Sequence, residues 1–307
     1  MKSILVTGGA GFIGSNLTLE LQKRYPDAWI TVLDDFRCSN YKNLEGFKGD
    51  VVAKDMSRLD WNYQFGNEHW DAVFHIASIT DTTEHNQRIQ IEDNVESFRR
   101  LLNFVSPHKT PVVYATSAAT YGITNGINKE IDPQKPANVY AFSKVQLENL
   151  AQHYVANNLA SKIVGLRYFN VYGPREEHKG VPASMILHLA KQMKSGQRPR
   201  IFKHGEQKRD FVYVKDIVNY TIGALDAEGS AVYNAGSGEA RSFNELITIL
   251  NDVLSTNLEP EYIDNPHKHY QPHTEADMSK IKDELSLTPQ FSLEDGVKDY
   301  FESGLLV

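Results

Sequence analysis

Short apolar runs alternate with stretches of helical periodicity over the first half of the chain. The helix expected after the first run covers residues 16–24, with Leu17 and Leu21 on its apolar side. Strands that alternate with helices favour an α/β fold with a parallel, doubly wound sheet, which binds ligands at the carboxyl ends of its strands. The apolar runs that we predict as strands cover residues 2–7, 29–33, 51–53, 72–77 and 112–116.

A glycine-rich turn joins the first predicted strand to the first predicted helix. It reads Gly8-Gly9-Ala10-Gly11-Phe12-Ile13-Gly14. Glycines at this spacing permit a tight turn, close approach of the backbone to a pyrophosphate, and close packing of helix on strand. The N-terminus of the helix then offers unpaired N–H groups and a dipole that favour negative charge. The turn therefore predicts a dinucleotide as the ligand at this end of the sheet.

Charged residues after the second predicted strand bear on the form of the dinucleotide. Asp34 and Asp35 end that strand, and Arg37 follows. A carboxylate at this place accepts hydrogen bonds from the adenosine ribose and disfavours a 2′-phosphate, whereas an arginine can pair with that phosphate. The residues alone leave NAD and NADP open.

Other candidates lie at or just past the ends of later strands. Asp55, Ala77 and Asn94 occupy such positions, where ligands of parallel sheets bind. Asp55 either meets the adenine or caps its own turn, and the sequence does not separate the two.

The alternation of strands and helices stops after Gly180, where a second unit is predicted. Helices are expected over 185–193, 243–254 and 293–301. We therefore predict a Rossmann-type dinucleotide-binding domain over 1–170, with a return segment near 210–235, and a smaller C-terminal substrate-binding lobe over 171–307. A basic concentration in this lobe suits a nucleotide diphosphate, with Arg209 as the first choice for it. Its members are Arg198, Arg200, Lys203, Lys208 and Arg209.

A tyrosine and a lysine four residues apart provide the candidate chemistry. Tyr140 and Lys144 fall on the same face of a predicted helix. A neighbouring ammonium stabilises a phenolate, so that Tyr140 can exchange a proton with a substrate hydroxyl, and Lys144 can also hold the nicotinamide ribose. Ser117, just past the strand at 112–116, can bind the same substrate oxygen. A lone pair of this kind would favour an interfacial tyrosine and a solvated lysine, but after a dinucleotide turn it favours catalysis.

Composition narrows the class of protein. The 307 residues are 41% hydrophobic and carry a net charge of −7, which argues against binding nucleic acid or an anionic membrane. Cys38 stands alone, and His267, His269 and His273 lack suitable partners, so we expect no disulfide and no metal site. No apolar run approaches the ~18 residues of a membrane span, and the sequence begins directly on a strand. We expect a cytoplasmic location.

These motifs resemble the extended short-chain dehydrogenase/reductase family over nearly the whole chain. The resemblance rests on TGGAGFIG as the cofactor turn and on Ser117 with the YxxxK pair as the active site. Within that family the chain is similar to the ADP-heptose 6-epimerase group, through ATSAATYG, NVYAFSK, RYFNVYGPREEHKG and RDFVYV, and through the Thr-Thr-Glu stretch at 82–84. The group implies a nucleotide-sugar epimerase.

The resemblance implies a second catalytic acid/base, Lys179, in the segment LRYFNVYGPREEHKG over 166–180. From the residues alone, a loop lysine is more often solvated. With two proton-transfer groups, an alcohol carbon is oxidised to a ketone by the nicotinamide, the ketone turns, and the hydride returns to its other face. Tyr140 and Lys179 would serve the two orientations at C6 of the heptose, with no net redox change.

The resemblance also implies the cofactor, the substrate contacts and the assembly. Members of the group usually take NADP, which we expect here with NAD as the alternative. The resemblance further implies a homo-oligomer, a pentamer, that supplies heptose for the lipopolysaccharide core. Substrate contacts are expected from Thr82, Ser117, Asn170, Val181, His188, Phe202, Arg209 and Tyr270. Cofactor contacts are expected from Gly8, Gly11, Phe12, Ile13, Gly14, Asp34, Asp35, Arg37, Asp55, Ile76, Ala77, Ser78, Asn94, Lys144 and Val171.

Departures from the group's pattern bear on the identity of the substrate more than on the type of reaction. Val181 and Pro182 replace a small polar residue and a methionine, and Asp81 replaces a serine. The nearest alternative is a 4-epimerase acting on a UDP-hexose or a GDP-heptose. A 4,6-dehydratase is disfavoured because Ala118-Ala119 supply neither the acid nor the base that elimination needs. A dinucleotide-sensing scaffold is a further alternative, although such a protein would be expected to lose the tyrosine or the lysine.

Overall fold

One large parallel sheet organises the fold of this computed structural model, which describes residues 1–66, 68–81, 86–265 and 271–307. The strands of the described chain are β1 (Ser3–Thr7), β2 (Trp29–Asp34), β3 (Asp50–Ala53), β4 (Ala72–His75), β5 (Val112–Ser117), β6 (Ile127–Asn128), β7 (Ile163–Tyr168), β8 (Asn170–Tyr172), β9 (Arg200–Phe202), β10 (Lys208–Tyr213), β11 (Ala231–Ala235), β12 (Ala240–Ser242), β13 (Glu261–Ile263) and β14 (Glu275–Ala276). The α-helices of the same ranges are α1 (Phe12–Arg24), α2 (Trp61–Phe65), α3 (Gln87–Ile91), α4 (Ser97–Val105), α5 (Val139–Ala156), α6 (Met185–Lys194), α7 (Val214–Gly223), α8 (Phe243–Leu254), α9 (Ser279–Leu285) and α10 (Leu293–Glu302).

The order of strands in the large sheet sets the place of the ligand crevice. Within the described chain it has seven parallel strands in the order β11-β7-β5-β4-β1-β2-β3. The chain winds outward from β1 in one direction through β2 and β3, and in the other through β4, β5 and β7. The direction reverses between β1 and β4, and ligands of such sheets bind at the carboxyl ends of strands at this point. The expected α/β doubly wound sheet is confirmed.

Each face of the large sheet has its own hydrophobic core. Helices α1 and α7 cover one face, where Leu17 and Ile217 pack with strand side chains such as Ile4 and Phe74. Helices α2, α4 and α5 cover the other face, where Phe98 belongs to a second cluster. Burial of these side chains on both faces explains the nearly continuous apolar sequence of the strands. No helix in the described ranges is long and apolar enough to cross a membrane.

A smaller lobe follows the loop at Gly180. Helices α6, α8 and α10 pack around Leu189, Leu246 and Val297, and three small sheets accompany them: β12-β10-β8, β13-β9 and β14-β6. The chain returns to the large sheet at α7 and β11, where β11 forms the edge of the sheet beside β7, and again at α9, whose Ile281 packs in the same core as α7. The two halves meet along β8 and β10, which are parallel neighbours directly after β7 and directly before α7.

The first helix begins earlier than its sequence pattern indicates. We expected residues 16–24, whereas α1 begins at Phe12, so that the end of the glycine turn is helical. Gly11 is the N-cap and has no side chain to mark the start, and Gly14 in the first turn reads as part of a loop. The longer helix brings the N-terminus of α1 directly against the carboxyl end of β1, where a pyrophosphate can contact it.

Candidate active site

The glycine turn leaves no room for side chains between β1 and α1. Gly8 has φ +69°, and a Cβ atom there would lie 2.6 Å from the backbone of Ala77. A Cβ atom on Gly14 would lie 2.0 Å from the carbonyl oxygen of Gly8. The first N–H groups of α1 have no side-chain cap, because Gly11 precedes them. The turn therefore fits the pyrophosphate of a dinucleotide, which would accept hydrogen bonds from these groups.

Carboxylates at the end of β2 are already engaged in hydrogen bonds. Asp34 accepts from the N–H of Ala10 at 2.9 Å and from the Ser39 hydroxyl at 2.7 Å. The guanidinium of Arg37 donates to Asp35 at 2.5 Å and to Asp93 at 2.9 Å. Asp34 thus stabilises the glycine turn through a hydrogen bond, while Arg37 lies between two acidic side chains.

Residues after β3 and β4 support the crevice in different ways. Ile76 and Ser78 line the cavity described below. Asn94 is fully buried behind them, where it accepts from the N–H of Ile79 at 2.8 Å and donates to Ser143 on α5 at 2.9 Å. Asn94 therefore fixes the loop after β4 to the helix that carries Tyr140. The sequence left two roles open for Asp55, and its carboxylate accepts from both the N–H and the hydroxyl of Ser57, which is a turn-capping arrangement.

Ser117, Tyr140 and Lys144 converge at the carboxyl end of β5. Asn138 caps α5 by accepting from the N–H of Ala141 at 2.8 Å, which places Tyr140 in the first turn of the helix. Burial raises the pKa of the Tyr140 phenol, and a hydrogen bond with the Ser117 hydroxyl opposes this shift. The Lys144 ammonium lies 5.8 Å from the centre of the Tyr140 ring. The three side chains are thus close enough to act on one substrate oxygen.

Lys144 is buried close to the carboxylate of Glu148. Its ammonium donates to the Ala115 carbonyl oxygen at 3.0 Å, and only 2% of the residue is exposed. Burial lowers the pKa of Lys144 to about 7, while the negative charge of Glu148, one turn further along α5, opposes the shift. The balance keeps the lysine able to carry charge beside the phenol at neutral pH.

A buried ion pair joins the catalytic helix to the sheet. Glu148 on α5 accepts from Nε and Nη2 of Arg167 on β7, at 3.0 and 2.7 Å, and from the Thr116 hydroxyl on β5 at 2.8 Å. Both partners are almost fully buried. The pair therefore fixes the helix that carries Tyr140 and Lys144 to the two strands that precede Ser117 and Asn170.

Replacing Arg167 with leucine is expected to lower the free energy of unfolding by about 3–5 kcal/mol, because a buried carboxylate then loses the guanidinium that pairs with it. Urea unfolding followed by circular dichroism measures the change. The double variant E148Q/R167L removes the charge as well and is expected to recover part of the loss. A single variant that loses less than about 1 kcal/mol would contradict the buried pair.

Lys179 lines the same cavity as Tyr140. It ends a short 3₁₀ turn, Glu177–Lys179, and its ammonium lies 5.5 Å from the centre of the Phe12 ring. Burial lowers the pKa of Lys179 from its ordinary value near 10.5, and the neighbouring Glu176 opposes the shift. The side chain is therefore partly buried in the cavity wall rather than solvated, unlike most loop lysines.

A cavity of about 470 Å³ joins the two halves of the protein at this place. Its volume suits a small-molecule ligand. Among the residues expected from the sequence, it is lined by Phe12, Ile13, Ile76, Ser78, Ser117, Tyr140, Lys144, Asn170, Val171, Lys179, Phe202 and Arg209.

Two of the expected substrate contacts lie outside the cavity lining, and two others fall on residues that the structure does not describe. His188 on α6 pairs with the carbonyl oxygen of Val181 at 3.1 Å, and Val181 is 86% exposed at the rim. Thr82 and Tyr270 lie outside the described residues. So do two of the three histidines considered for a metal, and no group of three or more His, Cys, Asp or Glu in the described ranges is placed to hold one.

The sequence did not single out part of the cavity wall. Arg200 and Gln207 belong to it, as do the aromatic rings of Phe211 and Phe243. Arg200 was visible in the basic concentration, where Arg209 was preferred to it. Phe211 falls in the RDFVYV motif but was not assigned a contact, and nothing near Phe243 in the sequence marks it; both belong to the core of the lobe, so their place in the cavity wall depends on the packing of the lobe.

The dinucleotide turn, the Ser-Tyr-Lys set and the cavity that joins them define a nicotinamide-dinucleotide enzyme that acts at an alcohol carbon. The model of the NAD dependent epimerase/dehydratase family matches residues 4–236. The chain belongs to this family, so the resemblance noted on the sequence is confirmed.

Similar proteins agree on this family over almost the full length. The ADP-L-glycero-D-manno-heptose-6-epimerase of Alkalilimnicola ehrlichii is 36% identical over 311 residues, which cover 98% of this chain and 97% of that protein. The crystal structure of the enzyme of the same name from Helicobacter pylori is 40% identical, with a TM-score of 0.91, and covers 98% of this chain and 96% of its own. A UDP-N-acetylglucosamine 4-epimerase from Methanobrevibacter ruminantium is 27% identical, with a TM-score of 0.90 and 99% of both chains covered.

Proposed function

We propose that the protein inverts C6 of ADP-D-glycero-D-manno-heptose to give the L-glycero epimer. The carbon is oxidised to a ketone by a tightly bound dinucleotide and re-reduced on its other face. The observation that carries the proposal is the pair of proton-transfer groups, Tyr140 and Lys179, in the walls of one cavity. Relatives of 36% and 40% identity bear the name of this activity.

The geometry of hydride transfer explains why two such groups are needed. A bound nicotinamide presents the same ring face throughout, so a ketone must turn before the hydride can return to its other face. Its oxygen then lies in a different place and needs a different proton donor. Tyr140, with Ser117, serves one orientation, and Lys179 serves the other. Burial lowers the pKa of Lys179, which eases proton exchange near neutral pH.

The lobe side of the cavity suits a nucleotide sugar. Arg209 and Arg200 line it together and offer guanidinium groups to a diphosphate. Phe202 and Asn170 line the same cavity, where they offer an aromatic surface and an amide to the substrate. Val181 and His188 pair with each other outside the cavity lining, and their contact with the substrate stays a prediction from the resemblance.

Nuclear magnetic resonance of ADP-D-glycero-D-manno-heptose, incubated with the protein as purified, tests the substrate directly. The proposal expects the L-glycero epimer to appear without added cofactor. The main alternative is a 4-epimerase acting on a UDP-hexose or a GDP-heptose, which the fold of the Methanobrevibacter neighbour also accommodates. Turnover of one of those sugars, with none of the ADP-heptose, would keep the chemistry and overturn the substrate.

NADP is the form of the cofactor that we propose, by the resemblance to the ADP-heptose group. Arg37 is the residue placed to meet a 2′-phosphate, but Asp35 and Asp93 already bind its guanidinium. This pairing is the observation that favours NAD as the second candidate, because the phosphate has to share the cation with two carboxylates.

Replacing Asp35 with asparagine is expected to raise the affinity for NADP relative to NAD by about tenfold, because one carboxylate no longer competes with the phosphate. Calorimetric titration of protein freed of dinucleotide measures both affinities. The variant Asp35→Glu keeps the charge and is the control, with little expected change. An unchanged ratio in the asparagine variant would show that Asp35 does not select the cofactor.

The assembly and the biological setting belong to the same proposal. A homo-pentamer, a cytoplasmic location and supply of heptose for the lipopolysaccharide core are supported by the resemblance to the ADP-heptose group. Light scattering on the purified protein measures the number of subunits. A monomer in solution would separate this protein from the group in its assembly, although not in its chemistry.

A further inference from the structure

Two residues outside the cavity lining connect the glycine turn to the segment that carries Lys179. The side-chain nitrogen of Asn43 donates to the Ala10 carbonyl oxygen at 2.9 Å and lies 3.0 Å from Nδ1 of His178. Ala10 belongs to the turn, and its own N–H donates to Asp34 at 2.9 Å. A continuous set of hydrogen bonds thus runs from the turn through Asn43 to His178, the neighbour of Lys179.

The chemistry of the partners fixes the direction of these bonds. The Ala10 carbonyl can only accept, so it orients the Asn43 amide with its NH₂ group toward the turn. The second hydrogen of that NH₂ group then points to Nδ1 of His178, which must accept it. A histidine that accepts at Nδ1 is neutral and carries its proton on Nε2, which in His178 is buried with no hydrogen-bond partner in the described structure. Burial and the charge of Lys179 lower the pKa of His178, in agreement with the neutral ring.

The opposite end of the same segment is anchored to the substrate lobe. Glu176 is fully buried and accepts from the N–H and the hydroxyl of Ser184, at 2.6 and 2.8 Å. The N–H of Lys179 donates to the Glu176 carbonyl oxygen at 3.0 Å. After Lys179 the chain turns at Gly180, with φ +61°, to the exposed Val181. Lys179 is therefore held between an anchor on the lobe and the link through His178 to the dinucleotide half.

We propose that His178 is a positioning residue, whose hydrogen bond with Asn43 sets Lys179 at a fixed place relative to the dinucleotide. The inference rests on the proposed two-base epimerisation. Asn16 on α1 also binds this segment, donating to the Pro174 carbonyl oxygen at 2.9 Å and accepting from Arg175 at 3.2 Å, but these bonds lie four or five residues before Lys179. Glu176 fixes Lys179 to the lobe, whereas the hydride donor and acceptor is bound by the glycine turn. The hydrogen bond through Asn43 fixes the position of Lys179 relative to that turn.

A positioning role predicts that only one of the two proton transfers is impaired, whereas a loss of general structural support would impair both. Tyr140 is held by α5 and does not depend on His178. Loss of the bond therefore impairs proton transfer in only one of the two orientations of the sugar. In that orientation the hydride passes from C6 to the nicotinamide while the hydroxyl proton passes to Lys179, and misplacement of the lysine slows both together. Oxidation of the other epimer, served by Tyr140, keeps its rate.

Two substitutions of similar size separate the hydrogen bond from the volume of the ring. His178→Leu fills the space but cannot accept from Asn43, whereas His178→Asn places an amide oxygen near the former Nδ1. Stopped-flow fluorescence of the reduced nicotinamide measures its rate of formation from each epimer, with Lys179→Met as the reference. We expect His178→Leu to slow the rate at least tenfold from the same epimer that Lys179→Met affects, and His178→Asn to restore it to within about threefold of wild type.

Equal slowing from both epimers, or no recovery in His178→Asn, would overturn the positioning role. Absence of any turnover by the wild-type protein is a different result, because it opposes the proposed function and not the role of His178. Thermal unfolding of both variants shows whether the substitutions act through stability alone.

A second measurement needs no substrate. Reductive methylation of the dinucleotide-bound protein, quantified by mass spectrometry, reports how accessible Lys179 is. The lysine is expected to react at least threefold faster in His178→Leu than in wild type, and at the wild-type rate in His178→Asn. Lys191, which pairs with Glu177 beside the same segment, is the internal control and should not change. An unchanged rate at Lys179 in His178→Leu would overturn the proposal whatever the substrate is.

Discussion

Replacing Tyr140 with phenylalanine is expected to lower kcat for epimerisation by about 10³-fold, because the phenol is the proton acceptor in one of the two orientations. The ring and its packing on α5 remain, so the dinucleotide should still be bound. The rate is measured by nuclear magnetic resonance of the two epimers, and the bound dinucleotide by absorbance after denaturation.

Ser117→Ala gives a graded comparison for this prediction. The serine bonds to the Tyr140 phenol but does not itself take the proton in the proposed reaction, so the expected loss is smaller, about 10-fold to 100-fold. Tyr63→Phe, at a tyrosine that is 90% exposed on α2, should have no effect. A Tyr140→Phe protein that epimerises at a rate near that of wild type would remove Tyr140 from the mechanism.

Five of the seven described strands of the large sheet were predicted because their signals are local, whereas β7 and β11 were not predicted as strands. Short apolar runs such as 112–116 end in polar residues, and the glycine turn has a spacing that few other structures require. The predicted start of α1 was wrong by four residues, since Gly14 reads as loop although it lies in the first turn of the helix against Gly8, and the N-cap is Gly11. A cap without a side chain leaves no signal in the sequence.

The same distinction between local signals and long-range packing applies to the residues of the candidate site. Ser117, Tyr140 and Lys144 are predicted together because a strand end and one helix turn bring them together, and the structure places them side by side. Phe243 enters the cavity at the start of α8, more than a hundred residues after Tyr140 in the chain, and nothing near it in sequence marks this place. Whether each expected residue contacts cofactor or substrate stays a prediction.

Lys179 is the residue for which sequence and structure add most to each other. As a loop lysine it gave no independent signal, and the resemblance alone suggested a catalytic role. The structure supplies a physical reason, because the ammonium of Lys179 lies against the Phe12 ring in the wall of the cavity that Tyr140 also lines. In the proposed reaction, a second acid/base is the feature that separates an epimerase of this kind from an enzyme that only oxidises or reduces.

Replacing Lys179 with methionine is expected to lower kcat for epimerisation by about 10²-fold to 10³-fold, because the second orientation of the ketone then has no proton donor. Methionine keeps most of the volume of the side chain, so binding of the nucleotide sugar should change little. The expected result is a large loss in kcat with KM within about threefold of wild type. Progress curves from each epimer, followed by nuclear magnetic resonance, provide both constants.

Lys191→Met is the matched control, since it removes a lysine that pairs with Glu177 on the same segment but lies outside the cavity lining. Its activity should stay near that of wild type. The most informative result is the comparison of the half-reactions. In Lys179→Met, reduced nicotinamide should still form at the wild-type rate from one epimer, because Tyr140 can take that proton. Equal loss from both epimers would mean that Lys179 supports binding or folding, and a single acid/base would then have to serve both faces of the carbon.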